Sequence, residues 1–405
     1  MKLIYLVFLW LLPNTLIASS TECGPWSLKA IKKNGPIVRF EKTNYFSKEE
    51  LSKKIPTHIL GEPQNGVFQY AVDYWSHTPS GSVLVSGVIN APDSGNCRMP
   101  WVGLQHGTII ADSSAPSRSN HYGLADAAMG FVTVVPDYVG YGASSHMWHP
   151  YHIESYYGPV VTDALKFTKI IAAANGVQLD QLFLRGYSEG GYATLATQKF
   201  IEAERPHLAS HLVASAPSAG AYDVLATGFG LLKAEYTNPV NLLYIIFSYS
   251  EYYPNEVDIN TIVPAEIAAF KPQFMGDTSY EDLSEKLPKK TAQLIRHDFR
   301  QNFLANVAAL LRGEKVKLGP VEKMLLANSI HQGWKVKTPV KFYHCIDDQD
   351  VPIISTEQAL KGLGVDNPNV KVERIPSPTD GPKYNHTSCP ATFSPILWFK
   401  ALLKN

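Results

Sequence analysis

One stretch limits what this chain can fold into more than any other: GYSEGGYATLA at 186–196. Before it, Leu182, Phe183 and Leu184 make an apolar run of strand type. After it, small residues suit a helix packed close against a sheet. Between the two lies G-x-S-x-G, centred on Ser188. At ordinary glycine usage a chain this long holds such a pentapeptide by chance about one time in ten, so the flanks carry the argument. In a strand–turn–helix setting the motif reads as a nucleophile elbow. The turn is too sharp for side chains around the serine, so glycines stand two residues away on either side. The hydroxyl is then held at the N-terminus of the helix. The backbone N–H of Glu189 points where an oxyanion would form.

The start of the chain reads as something apart from the fold. Lys2 is a minimal positive region, 3–12 is unbroken apolar sequence, and Pro13 and Asn14 end it. Ala18 and Ser20 are the small residues a signal peptidase needs, so 1–20 is expected to be a secretory signal cleaved after Ser20. An uncleaved anchor is the alternative, although ten apolar residues are short for a bilayer. Cys23 lacks the small residue before it that lipoprotein processing needs. Acidic and basic residues balance at 36 each and are scattered, which argues against nucleic acid as partner, since it demands a basic surface. The chain has four cysteines, Cys23, Cys97, Cys345 and Cys389, and in an exported protein they are expected to pair. Pairing within each end of the chain gives Cys23–Cys97 and Cys345–Cys389. No C-x-x-C occurs, so zinc-ribbon or thioredoxin chemistry has no support.

Periodicity gives the fold class. Residues 21–62 read as a preface of mixed polarity with short helices, one at 47–54. From Val67 the period changes to two: 67–74 and 83–89 alternate across a Pro79-Ser80-Gly81-Ser82 turn and predict a hairpin. Further strands are expected at 101–105, 131–135, 182–184, 212–215, 340–344 and 370–375. Helices at 158–174 and 192–203 separate some of them, and a last helix is expected at 393–403. This alternation implies an α/β fold with a mostly parallel central sheet covered by helices on both faces. The rhythm breaks between 215 and 340, where 222–335 reads as helix with an aromatic-apolar patch at 241–253. The expected organisation is therefore a core domain of 21–221 and 336–405, with 222–335 inserted as a helical cap.

An activated serine needs a base, and the base needs an acid to orient it. When an elbow serine comes first in the chain, the acid and then the histidine follow it. Of 13 histidines only His386 lies beyond the acidic loop after the 340–344 strand, which selects it without choice. That loop offers Asp347, Asp348 and Asp350. The spacing of an acid, two residues, then Val351-Pro352 favours Asp348, with the other two left open. A second oxyanion donor should come from Gln105-His106-Gly107-Thr108, with the Thr108 N–H preferred and that of Ile109 as alternative. His106 reads as a brace for that loop. His146, His149 and His152 have a metal-like spacing, but Pro150 prevents one helical face, so hydrogen-bonding roles near the site are favoured. Gly140 and Gly142 lack the third glycine of a dinucleotide site.

With these residues in view, the chain resembles the secretory lipase group of α/β-hydrolases, the lipase-A type, and related secreted esterases. The resemblance rests on Gln105-His106-Gly107, on PDYVGYGAS at 136–144 with His149-Pro150-Tyr151, on the 186–196 stretch, on Ala214-Ser215-Ala216-Pro217, on 348–352 and on His386. It covers about residues 65–400. What it implies is a cofactor-free serine hydrolase of carboxylic esters with an α/β-hydrolase fold and a helical cap over an acyl pocket. Ser188, His386 and Asp348 would be catalytic, and Glu189 and Thr108 would supply the oxyanion amides. The implied partner is a small-molecule or lipid ester, with transient contact to a lipid interface through the cap. A prolyl-type serine peptidase and an acyltransferase share the same triad order and are the alternatives. Asn385-His386-Thr387 has the form of a glycosylation sequon. It is expected to stay unmodified, because a glycan beside the catalytic base would block the pocket.

Overall fold

The computed structural model describes residues 23–27, 37–234, 236 and 238–404. The expected signal at 1–20 lies outside them. Among the described residues, nine strands form one sheet: β1 Ile37–Phe46, β2 Gly66–Thr78, β3 Gly81–Asp93, β4 Arg98–Gln105, β5 Val132–Pro136, β6 Gln178–Tyr187, β7 Leu212–Ser218, β8 Val340–Cys345 and β9 Val370–Ile375. Their spatial order is β1-β2-β3-β5-β4-β6-β7-β8-β9. The first three strands and the β3/β5 pair are antiparallel, and every pairing from β5 to β9 is parallel. The sheet is therefore mostly parallel, as the alternation of elements implies.

The β6 run shows why this sheet is buried on both faces. Leu182 and Leu184 point into the larger core cluster, while Phe183 points into a second cluster with Val102, Phe131 and Phe399. Side chains alternate across a strand, so a continuous apolar run needs cover on both sides. Helices Glu154–Ala174 and Glu189–Glu204 supply it on one face and helix Pro395–Leu402 on the other.

Three expectations need correction. The preface contains a ten-residue strand, β1, which pairs antiparallel with β2. It is an edge strand with only Phe40 and Phe46 buried, so no alternating apolar signal marks it. The helix at 47–54 does form, as Lys48–Lys54, with Ser47 and Glu50 closing a capping box. The long helix begins at Glu154, before the expected 158, and carries Pro159 in its first turns. The last helix begins at Pro395, after a short 3-10 turn at Cys389–Thr392, rather than at 393. Between Ser218 and Val340 the described residues form helices and connecting turns with no strand. The 241–253 patch lies in helix Pro239–Tyr252, whose Leu242, Leu243, Tyr244 and Phe247 are buried.

Both cysteine pairs are bridged. Cys23 and Cys97 have Cα atoms 5.2 Å apart, and Cys345 and Cys389 have theirs 5.9 Å apart. The second bridge spans 44 positions, for which chain entropy alone contributes about 4 kcal/mol.

Candidate active site

The parallel register brings the ends of several strands together. Gln105 at the end of β4 lies beside Gly186 of β6, Tyr187 beside Ser218 of β7, and Ser218 beside Tyr343 of β8. The loops after β4, β6 and β8 therefore meet at one edge, the usual site of function in open α/β sheets.

Ser188 stands between β6 and helix Glu189–Glu204, with φ 61° and ψ −125°. A side chain rarely adopts that conformation, so the surroundings must hold it. The Ser188 N–H donates to the Ser218 carbonyl at 2.9 Å, and the Gly191 N–H donates back to the Ser188 carbonyl at 2.8 Å. Glycine is required close by. A Cβ on Gly186 would strike the Gly190 carbonyl, and one on Gly190 would strike the Gln105 carbonyl. The close approach of helix, elbow and β4 loop exists only without those side chains.

His386 reaches Ser188 from the loop after β9. Its Nε2 lies 2.7 Å from Ser188 Oγ, and its Nδ1 lies 2.6 Å from Asp348 Oδ2. A carboxylate only accepts, so Nδ1 carries the proton and Nε2 faces the serine hydroxyl as acceptor. Asp348 is fully enclosed, and its Oδ1 accepts from the N–H groups of Asp350 and Val351 at 3.0 and 2.9 Å. The other two acids of this loop go elsewhere. Asp347 pairs with Lys383 at 2.7 Å, which holds its carboxyl below the usual range. Asp350 faces the pocket and Asn238. Beneath the loop, His344 sits 3.8 Å from Asp348 Oδ2, yet burial pushes its imidazole toward the neutral form. Its Nε2–H donates to the Val351 carbonyl at 2.8 Å, so it braces the loop rather than forming an ion pair.

The His386 loop is tied down twice. The Cys345–Cys389 bridge joins it to the end of β8, and the Tyr187 hydroxyl donates to the His386 carbonyl at 2.7 Å. Asn385 is exposed, with its side-chain oxygen accepting from the Thr387 and Ser388 N–H groups. Nothing in the motif marked Tyr187, although its place directly before the serine fixes it beside any histidine that reaches the elbow.

The loop after β4 lies against the elbow: a Cβ on Gly107 would come 3.8 Å from that of Ser188. The Thr108 N–H meets no acceptor among the described residues. Its hydroxyl is held by the Tyr151 hydroxyl at 2.8 Å. The Glu189 N–H belongs to the first helical turn, where N–H groups lack partners within the helix. His106 is buried, stacked on Tyr138, and lies 2.7 and 3.2 Å from the Gly107 and Asp137 carbonyls. The three histidines of the metal-like spacing diverge: His146 is exposed, while His149 and His152 are buried. Among the described residues, no group of three His, Cys, Asp or Glu side chains is arranged to hold a metal ion. Burial holds His152, which lines the pocket with Ser188, neutral with its pKa lowered to about 4.

Ser188 opens on a largely apolar pocket. Its walls come from the helices between β7 and β8, with Leu231, Ile246, Ile262, Phe303 and Leu325 among the apolar side chains. Its polar lining includes Tyr151, His152, Thr227, Asn241 and Asp350.

Known proteins share this architecture. A profile of the prolyl oligopeptidase family matches residues 117–237, which hold the elbow but neither Asp348 nor His386. No curated protein matches the chain. Among solved structures, a candidate hydrolase from Legionella pneumophila is 21% identical with a TM-score of 0.76, covering 91% of this chain and 100% of that one. The rice cell wall degrading esterase LipA from Xanthomonas oryzae is 22% identical at a TM-score of 0.73, covering 88% and 94%. Candida antarctica lipase A is 17% identical at 0.56, covering 90% and 80%. No helix of the described residues is long and apolar enough to cross a membrane. The sheet order, the elbow between β6 and its helix, and these structural likenesses together give the chain the α/β-hydrolase fold.

Proposed function

We propose that the protein is a secreted serine hydrolase that cleaves carboxylic esters with an apolar acyl part. The observation that carries this reading is the unbroken relay of Asp348, His386 and Ser188, with links of 2.6 and 2.7 Å, opening on an apolar pocket. Ser188 Oγ attacks the acyl carbon while His386 Nε2 takes its proton. Asp348 holds the imidazole and stabilises the imidazolium that forms. The Glu189 and Thr108 N–H groups receive the negative charge on the carbonyl oxygen. His386 then passes the proton to the leaving alcohol. Water, activated by the same histidine, frees the acid from the acyl-enzyme. The names of the Xanthomonas esterase and the Candida lipase support the ester reading, and two disulfides fit an oxidising compartment.

The prolyl oligopeptidase profile favours a second reading, cleavage of a peptide amide by the same relay. A series of p-nitrophenyl esters from short to long acyl chains, run beside aminoacyl p-nitroanilides, separates the two. Turnover of esters with a preference for apolar acyl chains is expected. Turnover of the anilides with inert esters would overturn the ester reading.

A further inference from the structure

Glu189 supplies a backbone N–H to the proposed oxyanion site, but its side chain is the unexpected part. The carboxylate is fully buried in the first turn of the elbow helix. Its Oε1 lies 2.7 Å from His149 Nε2 and accepts from the Tyr157 hydroxyl at 3.0 Å. His149 Nδ1 faces the Val139 carbonyl at 2.8 Å, and a carbonyl only accepts, so Nδ1 carries a proton. The Tyr157 hydroxyl already accepts from the His152 N–H, so its own proton goes to Glu189. Oε1 thus accepts from Tyr157 and shares a proton with His149 Nε2, so the two side chains form one buried hydrogen-bonded pair. Burial alone would push the Glu189 carboxyl up; the adjacent His149 charge and hydrogen bond outweigh it and leave the group below its usual range.

The position of His149 gives this pair a use. The same short segment carries Tyr151, whose hydroxyl holds Thr108. Ser248 Oγ donates to the His149 carbonyl and accepts from the Tyr151 N–H, which stiffens the segment. One rigid strip thus grips the elbow through Glu189 and the β4 loop through Thr108. Those are the two places from which the proposed oxyanion donors come. The charge balance matters as well. A lone buried carboxylate at the elbow would oppose negative charge developing on the substrate oxygen, and the hydrogen bond to His149 offsets it.

We infer that Glu189 and His149 form a buried hydrogen-bonded brace that sets the spacing of the two oxyanion donors, making both side chains positioning residues for the reaction. The inference rests on the proposed ester hydrolysis. The test measures kcat and KM on a p-nitrophenyl ester, per active site titrated with a fluorophosphonate. Glu189→Ala is expected to lower kcat at least tenfold with KM within twofold. Glu189→Gln keeps the shape and one polar atom at the position that Tyr157 and His149 share, so it falls by only about threefold. His149→Ala strands the carboxylate and falls further than Glu189→Ala. Adding Glu189→Gln to His149→Ala then raises kcat again. A purely structural role would lower the titratable fraction or the melting temperature and leave kcat per titrated site unchanged; that result overturns the inference. So does a double variant no faster than His149→Ala. Should His149→Ala fail to fold, equal kcat in Glu189→Ala and Glu189→Gln is enough to overturn it. Wild-type protein that neither turns over esters nor reacts with the fluorophosphonate removes the proposed function and this inference together. Active wild type with unaffected variants removes only the inference.

Discussion

Two glycines show how differently the elbow and the helical insertion are built. A Cβ on Gly190 would strike the Gln105 carbonyl, which is backbone at the end of a central strand. A Cβ on Gly228, in the pocket wall, would come 3.3 Å from the tip of the Phe303 ring. The first neighbour cannot move without dismantling the sheet edge. The second is a side chain in a helix of the insertion and can turn aside. The elbow is thus determined by backbone against backbone, and the pocket by side chain against side chain. The proposed chemistry belongs to the part that cannot adjust, and the proposed substrate selection to the part that can.

The largest expected effect lies in the rigid part. Ser188→Ala removes the proposed nucleophile and should lower ester turnover by about a million-fold, with an unchanged melting temperature in a thermal scan. Asp348→Asn should cost roughly ten-thousand-fold in kcat, because an amide holds the imidazole in the wrong tautomer. Asp347→Asn, which loses only a surface contact to Lys383, should stay within about threefold. If Asp347→Asn proved as damaging as Asp348→Asn, the relay would not run as drawn.

The glycine pair sharpens the contrast. Gly190→Ala should cost about a hundredfold or more in kcat on every ester, since displacing the elbow by even ~1 Å costs that much. Gly228→Val should leave short esters nearly untouched and lower kcat/KM on long acyl chains by about tenfold, the worth of one or two methylenes in a pocket. Equal losses on short and long esters for Gly228→Val would break the division between the two regions.

The smallest effect is on stability. Burial lowers the pKa of His152 to about 4, against about 6.5 when unfolded. The unfolded chain binds the extra proton between those values, so stability is full above pH 6.5 and falls as the pH drops toward 4. The gap corresponds to about 3 kcal/mol. His106 and His344, lowered by burial as well, add loss in the same direction. Urea unfolding at pH 7, 5.5 and 4 should show the decline, and His152→Gln should flatten it. A wild-type midpoint that does not change across that range would contradict the buried neutral state.

The same division explains what is legible in the sequence. Backbone-determined features leave strict residue types at fixed spacing. The glycines around Ser188 and the order of serine, acid and histidine can therefore be read from the residues alone. Strand β9 falls where the sequence predicts it, to the residue, because its flanks are clear. Strand β1 does not announce itself, because an edge strand with two buried residues leaves no period. The brace of Glu189 with His149 is hidden for another reason. Its partners lie 40 positions apart, and a histidine that bonds across the fold looks locally like any loop histidine. A carboxylate placed directly after the serine, where the helix must be buried, is the one signal that could have pointed to it.

Treatment of the native protein with a fluorophosphonate, followed by peptide mapping, tests the central claim most directly. The account predicts one label per chain, on Ser188, none on Ser188→Ala, and labelling at least a thousandfold slower in Asp348→Asn. Rapid labelling of any other serine, or a native Ser188 that stays unlabelled, would contradict it.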